Sequence, residues 1–171
     1  MTKPQAPSAN LVGEELPEDR SKVLFLDCLL LVERLHRRML DVIKETLDRE
    51  GLSELNAVQA LLIYNIGDSE TTAGELKTRG YYLGSNVSYN LKKLVELGYL
   101  SHERAEHDRR AVRISVTDQG KQVCRVIDTL YEQDLEELLS DQLISVEDLR
   151  GLRRNLRNIE RYWSDKLRFS L

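Results

Sequence analysis

Apolar residues recur at steps of three and four along several stretches of the chain, which is the spacing of an amphipathic helix. The first stretch begins near Pro17 and ends at Gly51. Its apolar stripe consists of Phe25, Cys28, Val32, Leu35, Met39, Val42 and Leu47. A stripe of this length can cover more than one partner. A second helix is predicted between Ser53, as its N-cap, and Gly67, as its C-cap.

Two shorter helices are predicted next. The third covers about residues 73–78 and is capped by Thr71 or Thr72, and the fourth is capped by Ser85 and ends at Leu97. One face of the fourth helix is apolar and consists of Val87, Leu91 and Leu94. This face is predicted to pack on the neighbouring helices, which leaves the polar face open.

A hairpin and two long helices complete the pattern. Strands are predicted at 99–104 and 111–116, with the hairpin tip at 106–109, because apolar and polar residues alternate in the second strand. Thr117 then opens a fifth helix, and Ser145 caps a sixth. The chain is therefore predicted to be mainly α, with one small β-hairpin.

These elements divide the chain into four parts. Residues 1–17 are predicted to form a flexible N-terminal arm, 18–52 a first dimerisation helix, 53–117 a winged helix-turn-helix domain, and 118–171 the C-terminal dimerisation helices. The helices at the two ends exceed what one small winged domain needs for its core. We expect them to pack against the same helices of a second copy, which would make the protein a homodimer.

Charge is distributed unevenly along the chain. The whole sequence has a net charge of −4, whereas the segment from Gly74 to Arg113 holds eight basic and five acidic residues. A basic patch on an acidic body limits nucleic-acid binding to one face. No apolar run approaches the roughly 20 residues that cross a bilayer, and the N-terminus lacks a signal pattern. We therefore expect a cytoplasmic protein without a membrane partner.

The open face of the fourth helix and the hairpin carry side chains that suit double-stranded DNA. Small polar groups, an amide and a phenol match base edges, and lysines match phosphates. The predicted helix contacts are Ser85, Asn86, Ser88, Tyr89, Lys92 and Lys93. In the hairpin, Arg110 is predicted to enter the minor groove and Arg109 and Arg113 to contact phosphates. Asp108 is predicted to hold the tip in shape. The alternatives are a solvated amphipathic helix and a surface charge cluster.

The same region carries a motif that is similar to a known family. Asp108-Arg109-Arg110, Ile114, Thr117 and Gly120, with the helix-to-wing segment 91–100, resemble the MarR family, the multiple-antibiotic-resistance regulators. The match covers about residues 55–120 and implies a dimeric transcription regulator on palindromic operators. It is also compatible with the L,D-transpeptidase regulators of alphaproteobacteria (LdtR-like proteins), which would imply cell-wall genes. Segment 79–84 departs from the family, because it is bulkier and more aromatic than the usual turn.

The resemblance also implies a small-molecule pocket between the winged domain and the dimer helices. Its predicted lining is Leu40, Ile43, Thr46, Leu47, Leu61 and Tyr64. This set is mostly apolar with two hydroxyl groups, which suits an aromatic or amphipathic effector that weakens DNA binding. The same residues also fit an ordinary hydrophobic core.

The sequence lacks the patterns of an enzyme. It contains no Ser/His/Asp set, P-loop or GxGxxG motif, and its histidines and cysteines are not at metal-ligand spacing. We therefore expect no catalysis, metal or cofactor. Cys28 and Cys124 lie on apolar stripes, which favours a small buried hydrophobe over a redox switch. The alternative function is a helical protein–protein adaptor that uses the winged domain as its interaction surface.

Overall fold

The computed structural model describes residues 18–68, 71–72, 84–105 and 108–169. Its elements are α1 (Glu18–Arg49), α2 (Ala57–Ile66), β1 (Thr71–Thr72), α3 (Gly84–Glu96), β2 (Leu100–Ala105), β3 (Asp108–Val116), α4 (Asp118–Ser140) and α5 (Val146–Phe169). The fold is mainly helical with a small antiparallel sheet, which confirms the predicted fold class. The arm at 1–17, the helix predicted at 73–78 and most of the turn before α3 lie outside the described residues. Among the helices in the described part of the chain, none combines the length and the apolar composition that a bilayer-spanning segment requires.

The chain forms two compact units whose boundary lies within α1. The first unit ends at Val42, and the second begins at Ile43. In the first unit, α1 exposes a run of large apolar side chains: Val23, Leu24, Phe25, Leu26, Leu30, Leu31, Val32 and Leu35. Cys28 is also exposed, so the prediction that this cysteine is a buried hydrophobe is wrong for the single chain. The helix surface in this unit is therefore apolar and open.

The second unit contains the hydrophobic core. The largest fully buried side chains are Tyr99, Ile43, Leu47, Leu55, Leu62, Ile63, Ile66, Leu94, Leu100, Ile127 and Val87. They come from the last turns of α1, from α2, α3, α4 and β2, from the loop before α2 (Leu55) and from the turn before β2 (Tyr99). Each buried side chain of this size stabilises the fold by roughly 1.5–3 kcal/mol. The helix and hairpin predicted to contact DNA thus share one core.

The start of α2 differs from the prediction. The N-cap is Asn56 rather than Ser53, and α2 begins at Ala57. The Asn56 side chain accepts a hydrogen bond from the Gln59 N–H at 2.9 Å, and the Gln59 side chain accepts one from the Asn56 N–H at 3.1 Å. Ser53 lies in the preceding loop, where its carbonyl accepts from Lys44 Nζ at 3.0 Å. The reciprocal pair of hydrogen bonds stabilises the later start.

Several other helix ends agree with the predictions. Gly51 and Gly67 follow α1 and α2 with positive φ angles of 75° and 57°. Thr117 is the N-cap of α4. At the start of α5, the Ser145 N–H donates to the Asp148 carboxylate at 2.9 Å, and the Asp148 N–H donates to the Ser145 hydroxyl at 3.1 Å. The hydrogen bond from the Ser145 side chain lowers the pKa of the Asp148 carboxyl.

The sheet has three antiparallel strands in the order β1-β3-β2, whereas the sequence predicted two. The added strand consists of Thr71 and Thr72, which pair with Ile114 and Arg113 of β3. The sequence predicted one of these threonines as a helix cap, and the structure places both in the sheet. Strand β1 therefore anchors the chain to the hairpin on the side opposite β2.

The hairpin strands are longer at the tip than predicted. Strand β3 begins at Asp108, and Ala105 of β2 pairs with it after an irregularity between Arg104 and Ala105. Arg109 therefore lies in β3 rather than in the predicted tip at 106–109. The one added pair, Ala105 with Asp108, closes the hairpin beyond the irregularity, and Arg109 and Arg110 lie between this pair and the pair of Arg104 with Val112.

Candidate nucleic-acid interface

Helix α3 buries one face against the core. Val87, Leu91 and Leu94 are buried, as their spacing predicts. Asn90, beside this face, accepts a hydrogen bond through Oδ1 from Gln59 Nε2 of α2 at 3.3 Å. The apolar face and this hydrogen bond fix the rotation of α3 about its axis, so that its other face points into solvent.

The solvent face of α3 carries four of the predicted contact residues. Ser88, Tyr89, Lys92 and Lys93 are all exposed, and 70% of the Tyr89 surface is accessible. Lys92 Nζ lies 3.9 Å from Glu96 Oε1, and both side chains are largely in solvent. Exposed pairs of this kind are weak, so Lys92 can exchange Glu96 for an external anion. The face offers a hydroxyl, a phenol and two ammonium groups in a row.

Helix α3 begins two residues earlier than predicted, because an N-cap at Ser85 would make Asn86 the first helical residue. The helix starts at Gly84, so Ser85 lies within the first turn and not at the N-cap. Assigned helix ends commonly vary by one or two residues. The side chains of Ser85 and Asn86 lie outside the part of the chain that the structure describes.

The wing places its basic residues on β3. Arg113 is exposed and lies opposite Glu103 in the ladder between β2 and β3. Asp108, Arg109 and Arg110 form the outer end of the same strand, and their side chains lie outside the described ones. The structure thus aligns the four predicted wing residues along one strand.

A small hydrogen-bonded joint connects the wing to α4. The Thr117 hydroxyl donates to the Gly98 carbonyl at 2.7 Å, and the Thr117 N–H donates to the Tyr99 carbonyl at 3.2 Å. The Gly120 N–H in turn donates to the Thr117 hydroxyl at 3.2 Å. This joint explains why a threonine and a glycine follow the wing, because the start of α4 packs directly on the turn between α3 and β2.

The Tyr99 side chain extends the joint to the loop before α2. Its hydroxyl donates a hydrogen bond to Glu54 Oε1. Burial raises the pKa of the Tyr99 hydroxyl, and the hydrogen bond from Tyr99 lowers the pKa of the Glu54 carboxyl. The wing base is therefore held by contacts on two sides.

The residues predicted to line an effector pocket occupy different environments. Ile43, Thr46, Leu47 and Leu61 are buried in the second unit. Leu40 is half-buried and belongs to the first unit. Thr46 also borders a cavity of about 240 Å³ between the last turns of α1 and the middle of α4. Its lining is Thr46, Arg49, Glu50, Arg125, Val126, Thr129, Leu130 and Gln133.

This cavity combines charge with a small apolar floor. Arg49 Nη2 donates to Thr46 Oγ1 at 3.0 Å, which orients the guanidinium group. Arg125 supplies a second cation from α4, and Leu130 supplies apolar surface. Sequence reasoning missed both arginines, because their proximity depends on packing between helices that are distant in the chain.

Tyr64, the sixth predicted pocket residue, belongs to a polar cluster between α2 and α4. Its hydroxyl donates to Asp128 Oδ1 at 2.7 Å, and its ring meets Tyr131 edge-on with centroids 5.7 Å apart. The hydrogen bond to Asp128 raises the pKa of Tyr64 to about 12. Burial raises the pKa of the neighbouring Cys124 thiol, which favours the unreactive thiol form. Sequence reasoning missed Asp128, although Cys124, Asp128 and Tyr131 share one helical face.

Metal ligands do not cluster in the described part of the chain. No group of three or more His, Cys, Asp or Glu side chains there could hold an ion. The chemistry that the described site offers is that of hydroxyl, phenol, ammonium and guanidinium groups facing solvent.

Comparison with known proteins identifies the family. The winged helix DNA-binding domain family matches residues 55–120. The exopolysaccharide II synthesis transcriptional activator ExpG of Rhizobium meliloti is 30% identical over 156 residues, covering 90% of this chain and 78% of that protein.

Solved structures share the fold. Streptococcus pneumoniae FabT in complex with DNA has a TM-score of 0.68 at 18% identity, covering 82% of this chain and 98% of its own. AbsC, a MarR family transcriptional regulator from Streptomyces coelicolor, has a TM-score of 0.67 at 18% identity, covering 89% of this chain and 99% of its own. The chain belongs to the winged helix DNA-binding transcription regulators, the family of ExpG, and it shares the fold of the solved MarR-family regulators.

Proposed function

We propose that the protein is a homodimeric, sequence-specific regulator that inserts α3 into the major groove and lays its wing on the minor groove. The observation that carries this proposal is the division of α3. Its apolar face is fixed on the core, and its solvent face presents Ser88, Tyr89, Lys92 and Lys93. A helix with this division can dock in a groove about 12 Å wide without rearranging its core.

Each side chain has a proposed role on DNA. Ser85, Asn86, Ser88 and Tyr89 contact base edges, and Lys92 and Lys93 contact phosphates. Arg110 enters the minor groove, Arg109 and Arg113 bind the flanking phosphates, and Asp108 orders the tip. Two copies related by a two-fold axis would read a palindrome with half-sites about 10 base pairs apart.

A mobility shift with the promoter region beside the protein's own gene tests the DNA proposal. Wild-type protein should retain this DNA, and Arg110→Ala should not. The double variant Lys92→Ala/Lys93→Ala should bind more weakly, with a salt dependence shallower by about 0.9 for each phosphate that the variant no longer neutralises. Lys22→Ala on α1 is the control and should bind like wild type. Normal operator binding by Arg110→Ala would contradict the assignment of the wing.

Two exposed apolar surfaces support the proposed homodimer. Helix α1 exposes its apolar run in the first unit, and α5 contains no buried residue over its 24 residues. A helix of this amphipathic type gains most of its stability from packing its apolar face. A second copy is the proposed cover.

The effector is proposed to be a small aromatic or amphipathic carboxylic acid. The cavity beside Thr46 supports this class, because Arg49 and Arg125 can bind a carboxylate while Val126 and Leu130 contact an apolar group. The cavity lies between α4 and the last turns of α1. A ligand there can weaken DNA binding only if it favours a conformation that does not fit the operator.

Titration calorimetry with a series of phenolic and aromatic acids tests the effector. Binding should release heat, and the same acids should lower operator affinity. Arg125→Gln should weaken acid binding at least tenfold, about 1.4 kcal/mol, without changing operator binding in the absence of acid. Arg37→Gln is the control on α1. An absence of heat together with unchanged operator binding would exclude this class of effector.

The proposed target genes concern the cell envelope. The similarity to ExpG, named for the activation of exopolysaccharide II synthesis, favours surface-polysaccharide genes. The LdtR-like resemblance favours cell-wall genes instead. Sequencing the genomic fragments that the protein retains distinguishes the two.

A further inference from the structure

Helix α5 carries a stripe of arginines along one face. The five residues are Arg150, Arg153, Arg154, Arg157 and Arg161, which follow one another at steps of three or four except for the adjacent pair Arg153 and Arg154. Such spacings place them on one side of an α-helix. All five are exposed, and the first four line a shared groove with Asn158. We call this surface the arginine stripe.

The stripe is largely free of compensating acids. Arg150 lies 3.1 Å from Glu147 in an exposed pair. The other four arginines form no ion pair with any residue that the structure describes. By contrast, residues 126–149 contain eight acidic residues and no basic one. Positive charge is therefore concentrated on α5 in a chain whose net charge is −4. On an ordinary soluble surface, charges of both signs are interspersed.

The opposite side of α5 is apolar. It carries Leu149, Leu152, Leu156, Ile159 and Trp163 at steps of three and four. In the homodimer proposed above, on which this inference rests, the apolar side packs against the second copy. Most of the arginines then point away from that interface and stay available to another partner.

We propose that the arginine stripe is a second surface for the phosphate backbone of duplex DNA, separate from α3 and the wing. The five charges from Arg150 to Arg161 span about 17 Å of helix axis, or about one charge per 4 Å. One DNA strand carries a phosphate about every 3.4 Å of its axis. The guanidinium group also binds phosphate oxygens in pairs, which lysine does not. The spacing and the chemistry of the stripe therefore match a phosphate strand.

The observations favour DNA over two other anionic partners. An amphipathic helix binds an anionic membrane by burying its apolar side, and the second copy covers that side of α5. An acidic protein could pair with individual arginines, but the linear repeat of charges matches the repeat of a polymer. DNA is also already present at the recognition helix, at high local concentration.

The experiment compares two charge-reversed proteins of equal net charge. Arg154→Glu/Arg161→Glu alters the part of the stripe farthest from the apolar side, and Arg20→Glu/Lys22→Glu alters α1. Binding to a long duplex of random sequence is measured by fluorescence anisotropy at several salt concentrations. The stripe variant should bind about tenfold more weakly, and its salt dependence should become shallower by about 2, since two fewer phosphates are neutralised. The α1 variant should match wild type.

Circular dichroism and light scattering check that both variants keep the helical content and the oligomeric state of wild type. The milder Arg154→Gln/Arg161→Gln removes the charges without reversing them and should give the same shallower salt dependence. Unchanged affinity and salt dependence in both stripe variants would overturn the proposal. So would a loss confined to anionic phospholipid vesicles or to acidic peptides. If the wild-type protein binds no DNA at all, the proposed function is wrong. If wild type binds DNA and the stripe variants bind it equally well, only the proposal about the arginine stripe is wrong.

Discussion

At the scale of single residues, the contacts of Gly120 explain why a glycine follows the wing at the start of α4. A Cβ atom at this position would lie well under 3.0 Å from the Tyr99 carbonyl oxygen and 2.6 Å from Val116 Cγ1. One of these obstacles is backbone, which cannot rotate away. The close approach lets the Gly120 N–H reach the Thr117 hydroxyl. Glycine is thus required here for space and not for an unusual φ angle.

Gly120→Ala should therefore destabilise the fold, by about 2–3 kcal/mol, which is typical of overpacking. Gly151→Ala is the matched control, because it also lies within a helix but has no neighbour within 4 Å of the added Cβ. The control should gain up to about 1 kcal/mol from the higher helix propensity of alanine. Chemical denaturation measures both free energies of unfolding. Equal effects of the two substitutions would show that the contact with Tyr99 does not constrain the joint.

At the scale of elements, local patterns predicted the long helices and the buried face of α3. Thr117 and Ser145 cap α4 and α5 as expected, because caps and helical stripes involve residues close in the chain. The exposed face of α3 was likewise predictable, since Val87 and Leu94 fix the buried side. This covers most of the fold and the helical part of the candidate interface.

The errors occur where one local signal competes with another. Ser53 and Asn56 can both cap a helix, and the position of Gln59 three residues after Asn56 decides in favour of Asn56. A capping pair of this kind is visible in the sequence, so the start of α2 at Ala57 is predictable from residues 56 and 59 alone. Residue type alone does not distinguish Ser53 from Asn56, since both are favourable N-caps.

The remaining errors depend on contacts between distant segments. Thr71 pairs with Ile114 across more than 40 residues, and a two-residue strand has no periodicity of its own. Likewise, Arg49 and Arg125 meet at one cavity only after α1 and α4 have packed. Single-sequence patterns carry no signal for such pairs, which is why the third strand and the charged cavity were missed.

At the scale of the whole molecule, helix α5 is a long element whose apolar side stays largely exposed in a single chain. It is 24 residues long and none of its side chains is buried. Leu152, Leu156 and Trp163 expose 48%, 41% and 44% of their surface on one side of the helix. A continuous apolar side of this kind marks an interface. A substitution on the apolar side of α5 should therefore change both the oligomeric state and the DNA affinity.

Leu156→Glu should convert the proposed dimer to a monomer, because it places a carboxylate in the middle of the apolar side, where burial of an unpaired charge is costly. Operator binding should fall with it, since one winged domain alone reads only half of the palindrome. Asn158→Glu adds the same charge to an exposed position away from that side and should remain dimeric; it is the control for mass alone, because Asn158 lies beside the arginine stripe. Analytical ultracentrifugation gives the mass of each variant, and a mobility shift gives its DNA affinity.

A Leu156→Glu protein that stays dimeric would place the interface elsewhere on the chain. A monomer that still binds the operator at wild-type affinity would separate dimerisation from recognition, because paired half-sites could then not be the source of affinity.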